Sequence, residues 1–229
     1  MSLRSPRTER RPIAIRRSNK NNKGVNHLLR NRLRNFRSGS VLGFLCLGLL
    51  AGCSTNSVGL TYKSTTAIVP IASNTSVSVG SFVDHRGESA TWFGAIRGGY
   101  GNPLKVLEAT PSISALVQSA FSQGLRDRGI QVSGDGHQQI VGVIKKLDCS
   151  QYERREANVE IEVSVIDTSS GKQLFNQTYS AESLEGSIVA LNAGIFGSVE
   201  KLRALAEKTL SEVVDKALDD PALQHALLQ

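Results

Sequence analysis

The thiol of Cys53 has the clearest chemical setting in this 229-residue sequence. It follows Leu50-Ala51-Gly52, which ends an apolar run, Val41 to Ala51, preceded by a strongly basic leader. A basic leader, a short apolar run and small residues at a cleavage point are the parts of a secretory signal peptide. A cysteine directly after the small pair places a nucleophile where the chain is cut. The run is eleven residues long, against the roughly 20 needed to cross ~30 Å of hydrocarbon, so it does not span a bilayer. Nor does it read as a core element. Residues 1–40 hold twelve Lys/Arg against the single acid Glu9, a composition that stays disordered and cannot fold over it.

The order Leu50-Ala51-Gly52-Cys53 resembles the lipobox of bacterial lipoproteins. The resemblance implies that Cys53 is the lipid attachment site: its sulfur takes a diacylglyceryl group, the chain is cut before it, and the new amino terminus is acylated. A single myristoyl chain holds a protein only reversibly, whereas three chains make the anchor effectively permanent. The membrane is thus the first partner, reached through the lipid on Cys53. Ser54, not Asp, follows the cysteine. In the enteric sorting scheme that choice implies the periplasmic face of the outer membrane rather than the inner membrane.

The remaining chemistry-bearing residues form no catalytic constellation. Cys46 leaves with the signal, so Cys149 is left alone, which rules out an internal disulfide and predicts a buried, inert thiol. His85, His137 and His225 stand in separate segments without metal-ligand spacing. Asp84-His85-Arg86 is half of a possible site, but its composition is that of a turn after a strand. Glu160 and Glu162 share one face of a strand, where paired carboxylates need burial before they can divide acid and base roles. Gly98-Gly99-Tyr100-Gly101 lacks the Lys-Ser/Thr of a phosphate loop, and there is no nucleophile elbow or dinucleotide fingerprint. No catalytic residue, metal site or cofactor is expected. Nucleic acid is excluded as a partner on charge: the formal +7 belongs to the leader, and beyond Gly52 fifteen Lys/Arg face nineteen Asp/Glu, a net of −4.

The elements that must position these residues are legible in part. Val77, Val79, Ser81 and Val83 alternate with Ser76, Ser78, Gly80 and Phe82, which predicts a half-buried strand. Residues 85–103 read as a long Gly-rich loop carrying Trp92, Phe93 and Tyr100. Those aromatics are candidate partner-binding residues, with Trp92 and Phe93 equally able to fold back and plug the core. Thr110-Pro111 predicts a helix start, and Gly129 its end. Val141, Val143, Leu147 and Cys149 read as one face of a strand. Ala157 to Val165 alternates cleanly and pairs with Gln173–Ser180 in a hairpin. Ser198 caps a helix running to Leu218, and Asp219-Asp220-Pro221 starts a short terminal helix. This order predicts an α+β fold in two layers, a mostly antiparallel sheet covered by two amphipathic helices, preceded by a disordered signal segment. The expected division is 1–52 signal peptide, removed; 53–66 tether; 67–220 a single domain; 221–229 a C-terminal tail.

The lipobox cysteine, the strand Val79-Gly80-Ser81-Phe82-Val83-Asp84-His85-Arg86, a Gly-rich loop and a helix ending Leu125-Arg126-Asp127-Arg128-Gly129 together resemble the YajG-type lipoproteins of Gram-negative bacteria. The resemblance covers about residues 60 to 215 and implies an envelope lipoprotein with an α/β domain. More loosely, the layout is similar to accessory lipoproteins of envelope machines. The expected function is therefore non-enzymatic: a lipid-anchored, periplasm-facing protein that binds or scaffolds a protein partner of an envelope assembly. The alternatives are a membrane-tethered hydrolase and a lipid or glycolipid carrier.

Overall fold

The computed structural model describes residues 54–71, 75–186 and 198–229. Leu50, Ala51, Gly52 and Cys53 lie outside the described residues, as does most of the apolar stretch 186–197. In chain order the elements are β1 (Ser54–Val58), β2 (Ser76–Asp84), β3 (Trp92–Arg97), β4 (Pro103–Ala109), α1 (Ile113–Asp127), β5 (Gln131–Val132), β6 (Gln138–Gln151), β7 (Arg155–Asp167), β8 (Gln173–Glu185), α2 (Val199–Leu218) and α3 (Pro221–Leu227). The eight strands form one sheet. The class is α+β, as expected. The three long strands β6, β7 and β8 pair antiparallel, as do β3 and β4, while β1 with β4, β2 with β5, and both β2 and β3 with β6 run parallel. Strand β6 is long enough to hold β2 along Gln138–Ile144 and β3 along Cys149–Gln151 on the same edge.

Helices α1 and α2 pack on this sheet, and the core lies between the two layers. Phe82 of β2 stacks on Phe121 of α1 with ring centroids 4.7 Å apart. Leu202, Leu205, Ala206, Leu210, Val213, Val214, Ala217 and Leu218 form the buried stripe of α2. Ser198 caps that helix by accepting from the Lys201 N–H, and Gly129, at φ 83°, ends α1 as the sequence predicts.

Four expectations change. Residues 54–66 are not a free tether: β1 pairs with β4 from Ser54 onward, and Leu60 and Tyr62 are buried in the core. The terminal residues are a helix rather than a tail: α3 starts at Asp220-Pro221, as that turn predicts, and buries Leu223, Ala226 and Leu227. The 85–103 loop contains a strand, β3, whose pairing brings Gly94 so close to β6 that a Cβ there would run into the carbonyl and sulfur of Cys149. The α1 cap is Ser112, not Thr110, and Pro111 precedes the helix.

The core face of two strands also differs. In β6 the register shifts between Ile144 and Lys146, so Ile140, Gly142 and Ile144 point inward, and then Leu147 and Cys149 do; Val141 and Val143 lie on the other face. In β2 the shift between Val79 and Phe82 turns Phe82 inward and leaves Val83 half-exposed. A bulge inserts one residue and reverses the alternation beyond it.

Candidate functional site

The turn Asp84-His85-Arg86 becomes a brace. Arg86 donates from Nε to Asp84 Oδ1 at 2.8 Å and from Nη2 to Asp84 Oδ2 at 2.7 Å, a two-pronged ion pair. Its Nη1 donates to the carbonyls of Trp92 (2.7 Å) and Leu147 (2.9 Å), and its Nη2 also reaches the Ser89 carbonyl at 3.2 Å. These bonds occupy all five N–H groups of a guanidinium. The arginine ties the end of β2 to the start of β3 and to β6, across the segment 85–91. Hydrogen bonds from Arg86 hold the Asp84 carboxyl below its usual range despite partial burial. His85 takes no part in the ion pair, and neither His137 nor His225 joins it.

Those bonds position the aromatic candidates differently from one another. Phe93 is fully buried and plugs the core. Trp92, one residue earlier and on the opposite face of the strand, is half-buried. It lines an open cleft of about 290 Å³ with Arg86, Glu88, Lys145, Lys146, Leu147 and Asp148. The β6 register shift that turns Leu147 inward leaves Lys145 and Lys146 exposed at its rim. Tyr100 is fully exposed at the turn between β3 and β4. Of the three, Phe93 has no surface to offer a partner; Trp92 and Tyr100 do, at separate places.

The strongest polar network was not expected. Arg128, the C-cap of α1, is fully buried. It donates to Asp219 Oδ1 from Nε (2.8 Å) and Nη2 (2.6 Å), to Asp215 Oδ1 at 3.0 Å, to Tyr62 Oη at 3.1 Å and to the Gly124 carbonyl at 3.1 Å. Asp215 also accepts from Tyr62 Oη at 2.6 Å and from the Thr65 N–H and Oγ1 at 2.6 and 2.8 Å. Burial alone would lower the arginine's pKa; its bonds to Tyr62, Asp219 and Asp215 outweigh that and raise it. Burial would likewise raise that of Asp215, but its donors from Tyr62, Thr65 and Arg128 bring it below the ordinary value. The network straps residues 62–65 to α1 and α2. One signal for it was in the sequence: Asp215 is a lone acid on the apolar stripe between Val214 and Leu218.

The other candidates stay apart. Cys149 is buried and its thiol pKa is pushed up by that burial. Glu162 pairs with Lys145 at 2.6 Å, and Glu160 is not drawn into the pair. Among the described residues no three His, Cys, Asp or Glu side chains converge as metal ligands, and no helix is long and apolar enough to cross a membrane. Where α1 meets α2 the packing is tight: a Cβ on Gly124 would press on Leu218, Val214 and Tyr62.

Sheet, covering helices and amino-terminal strap make up an α+β domain whose fold is shared with solved structures. Protein XCC0632 from Xanthomonas campestris superimposes at a TM-score of 0.53 with 11% identity, over 71% of this chain and 92% of that one. The PelC dodecamer from Paraburkholderia phytofirmans gives 0.38 at 15% identity over 65% and 92%. Lipoprotein GNA1162 from Neisseria meningitidis gives 0.33 at 13% over 64% and 99%. No match to a curated protein was found. Residues 63–228 match the family described as uncharacterized lipoprotein. The chain belongs to that family, consistent with its YajG-type resemblance, and is a lipoprotein of the cell envelope.

Proposed function

We propose that this protein is anchored by acyl chains on Cys53, with Leu50, Ala51 and Gly52 as its lipobox, at the periplasmic face of the outer membrane. There it acts without catalysis, binding a protein partner of an envelope assembly through the Trp92 cleft. The observation that carries the binding reading is the setting of Trp92. The indole stands half-exposed on a strand whose start is fixed by Arg86, with Glu88, Lys145, Lys146 and Asp148 around it. A rigid aromatic ringed by polar side chains is the usual make-up of a binding hot spot and its rim. The arginine beside it has every donor engaged within the fold, which favours a structural role for Asp84 and Arg86 over acid–base work. Ser54 after the cysteine supports the outer over the inner membrane.

The test is photo-crosslinking in the native envelope, with a photoreactive residue at position 88 or 92 and a control at exposed Glu182 on β8. The expected result is a protein adduct from the cleft positions that the control lacks, reduced by competition from the unlabelled protein. Equal adducts from all three positions, or none, would overturn the cleft as the binding face.

A further inference from the structure

Register across the sheet defines one end of it. Ser54 lies opposite Lys105, Lys105 opposite Ile96, Ile96 opposite Gln151, Gln151 opposite Arg155 and Arg155 opposite Glu185. Six strands therefore share one row, about 24 Å across at the usual strand spacing. Beyond that row, which includes the first residue of β1, lie the β3–β4 turn and the β6–β7 turn. Tyr100 is fully exposed there, Leu104 and Tyr152 expose over a third of their surface, and Leu184, one residue inside the row, exposes nearly half. The two turns are joined, because the Tyr152 hydroxyl donates to the Gly99 carbonyl at 2.8 Å. Arg154 pairs with Glu156 and Arg155 with Glu185 at the same end, so these arginines leave little net charge there.

From these positions we infer that this end of the sheet is a membrane-docking surface, with the bilayer interface as its occupant. The inference rests on the reading of Cys53 as the lipidated residue. Ser54 is already paired to β4, and consecutive Cα atoms are 3.8 Å apart, so an acylated residue 53 leaves the lipid no more than one residue from the row. A chain end so short brings the row against the headgroups. The side chains it brings are the kind that interface holds: tyrosines with an apolar ring and a polar tip, and leucines. Trp92 stands four residues back along β3, about 13 Å from the row. The cleft then faces the aqueous compartment, clear of the membrane.

The full lipoprotein, reconstituted in vesicles of phosphatidylethanolamine and phosphatidylglycerol doped with nitroxide-labelled lipid, tests this. An environment-sensitive fluorophore is placed by Tyr100→Cys, and in a second protein by Ser170→Cys at the exposed β7–β8 turn, at the far end of the sheet; buried Cys149 stays unlabelled. The tip label is expected to be quenched by the lipid nitroxide at least about twofold more than the far label, as an interfacial group is. Mass spectrometry of the same preparation reports the state of Cys53. With Cys53 acylated, equal quenching at both positions overturns the docking surface and leaves the anchor standing. A tip label shielded from both aqueous iodide and lipid nitroxide assigns this end to a protein, or to a second copy, and also overturns it. An unmodified Cys53 overturns the anchor and this inference with it.

Discussion

Replacing Arg128 with methionine isolates what the buried network contributes. The substitution keeps an unbranched side chain of similar length and removes five donated hydrogen bonds, to Asp219 twice and to Asp215, Tyr62 and Gly124 once each. Asp215, with 2% of its side chain exposed, loses its only cation within 4 Å among the described residues. Breaking a buried pair by removing one partner costs roughly 3–5 kcal/mol, because the other charge is left desolvated. Asp219 is 40% exposed and is solvated in the variant, so it adds little to that figure. At about 2–4 °C per kcal/mol for a domain of this size, the melting temperature should fall by roughly 6–20 °C. The loss has a location as well as a size. Thr65 and Tyr62 both hang on Asp215, so trypsin should cut after exposed Lys63 faster in the variant, under conditions where the rest of the domain remains folded. Circular dichroism on heating and timed proteolysis, read by mass spectrometry, measure the two effects. A melting temperature within about 2 °C of the wild type, with unchanged cleavage at Lys63, would refute the claim that this arginine holds the amino-terminal strap.

Two further outcomes follow from buried groups. The folded-state pKa of Asp215 is depressed below its ordinary 3.8, so its ionised form adds stability above that pH, and the contribution is lost as pH falls through the lower folded value. The gap in unfolding free energy between wild type and Asp215→Asn should therefore narrow on acidification below pH 3.8; a gap that stays constant from neutral to acid pH would refute the assignment. Burial pushes the Cys149 thiol up, away from the reactive thiolate. A maleimide should leave it unmodified in the native protein and label it in denaturant, and rapid native labelling would show that β3 does not cover it.

The hairpin β7–β8 and helix α2 were legible because their alternation and periodicity run unbroken from Ala157 to Val165 and from Leu202 to Leu218. Elsewhere the reading failed wherever a strand gained a residue. Val77 is fully buried and Val83 half-exposed, although both sit on the same parity, because β2 shifts register between them. In β6 the sequence reading puts Leu147 and Cys149 on the core face correctly, but the shift between Ile144 and Lys146 sends Val141 and Val143 to the other one. Strand β3 was hidden for another reason: its pairing with β6 needs Gly94, and glycine reads locally as loop. Strand β1 was hidden because Ser54-Thr55-Asn56-Ser57 is polar, and its place comes from an edge offered by β4, far along the chain. The same non-locality conceals the Arg128 network, whose members come from residues 62–65, 128 and 215–219. Of the site, Trp92 and Tyr100 were named from composition alone, and only burial separates them from Phe93.

The absence of a free tether alters what an anchored domain of this kind can reach. Fourteen loose residues after the lipid would let the domain wander, with a root-mean-square reach of roughly 20 Å and no fixed orientation. Here β1 is paired from Ser54, and the network around Arg128 and Asp215 fixes residues 62–65, so the folded body itself sets the reach. Strand β7, thirteen residues long, extends about 40 Å from the Arg155 row to its far end. With the lipid on Cys53 and the sheet end docked as inferred above, a partner engaging the Trp92 cleft would meet it at a nearly constant height and in one orientation. Fixing both lowers the entropy lost on binding. A modest cleft on an immobilised domain can then serve where the same cleft on a loose tether would be too weak. Lengthening the chain between Cys53 and Ser54 with a Gly/Ser insert, leaving the cleft untouched, should weaken partner capture in the envelope while binding in detergent stays the same.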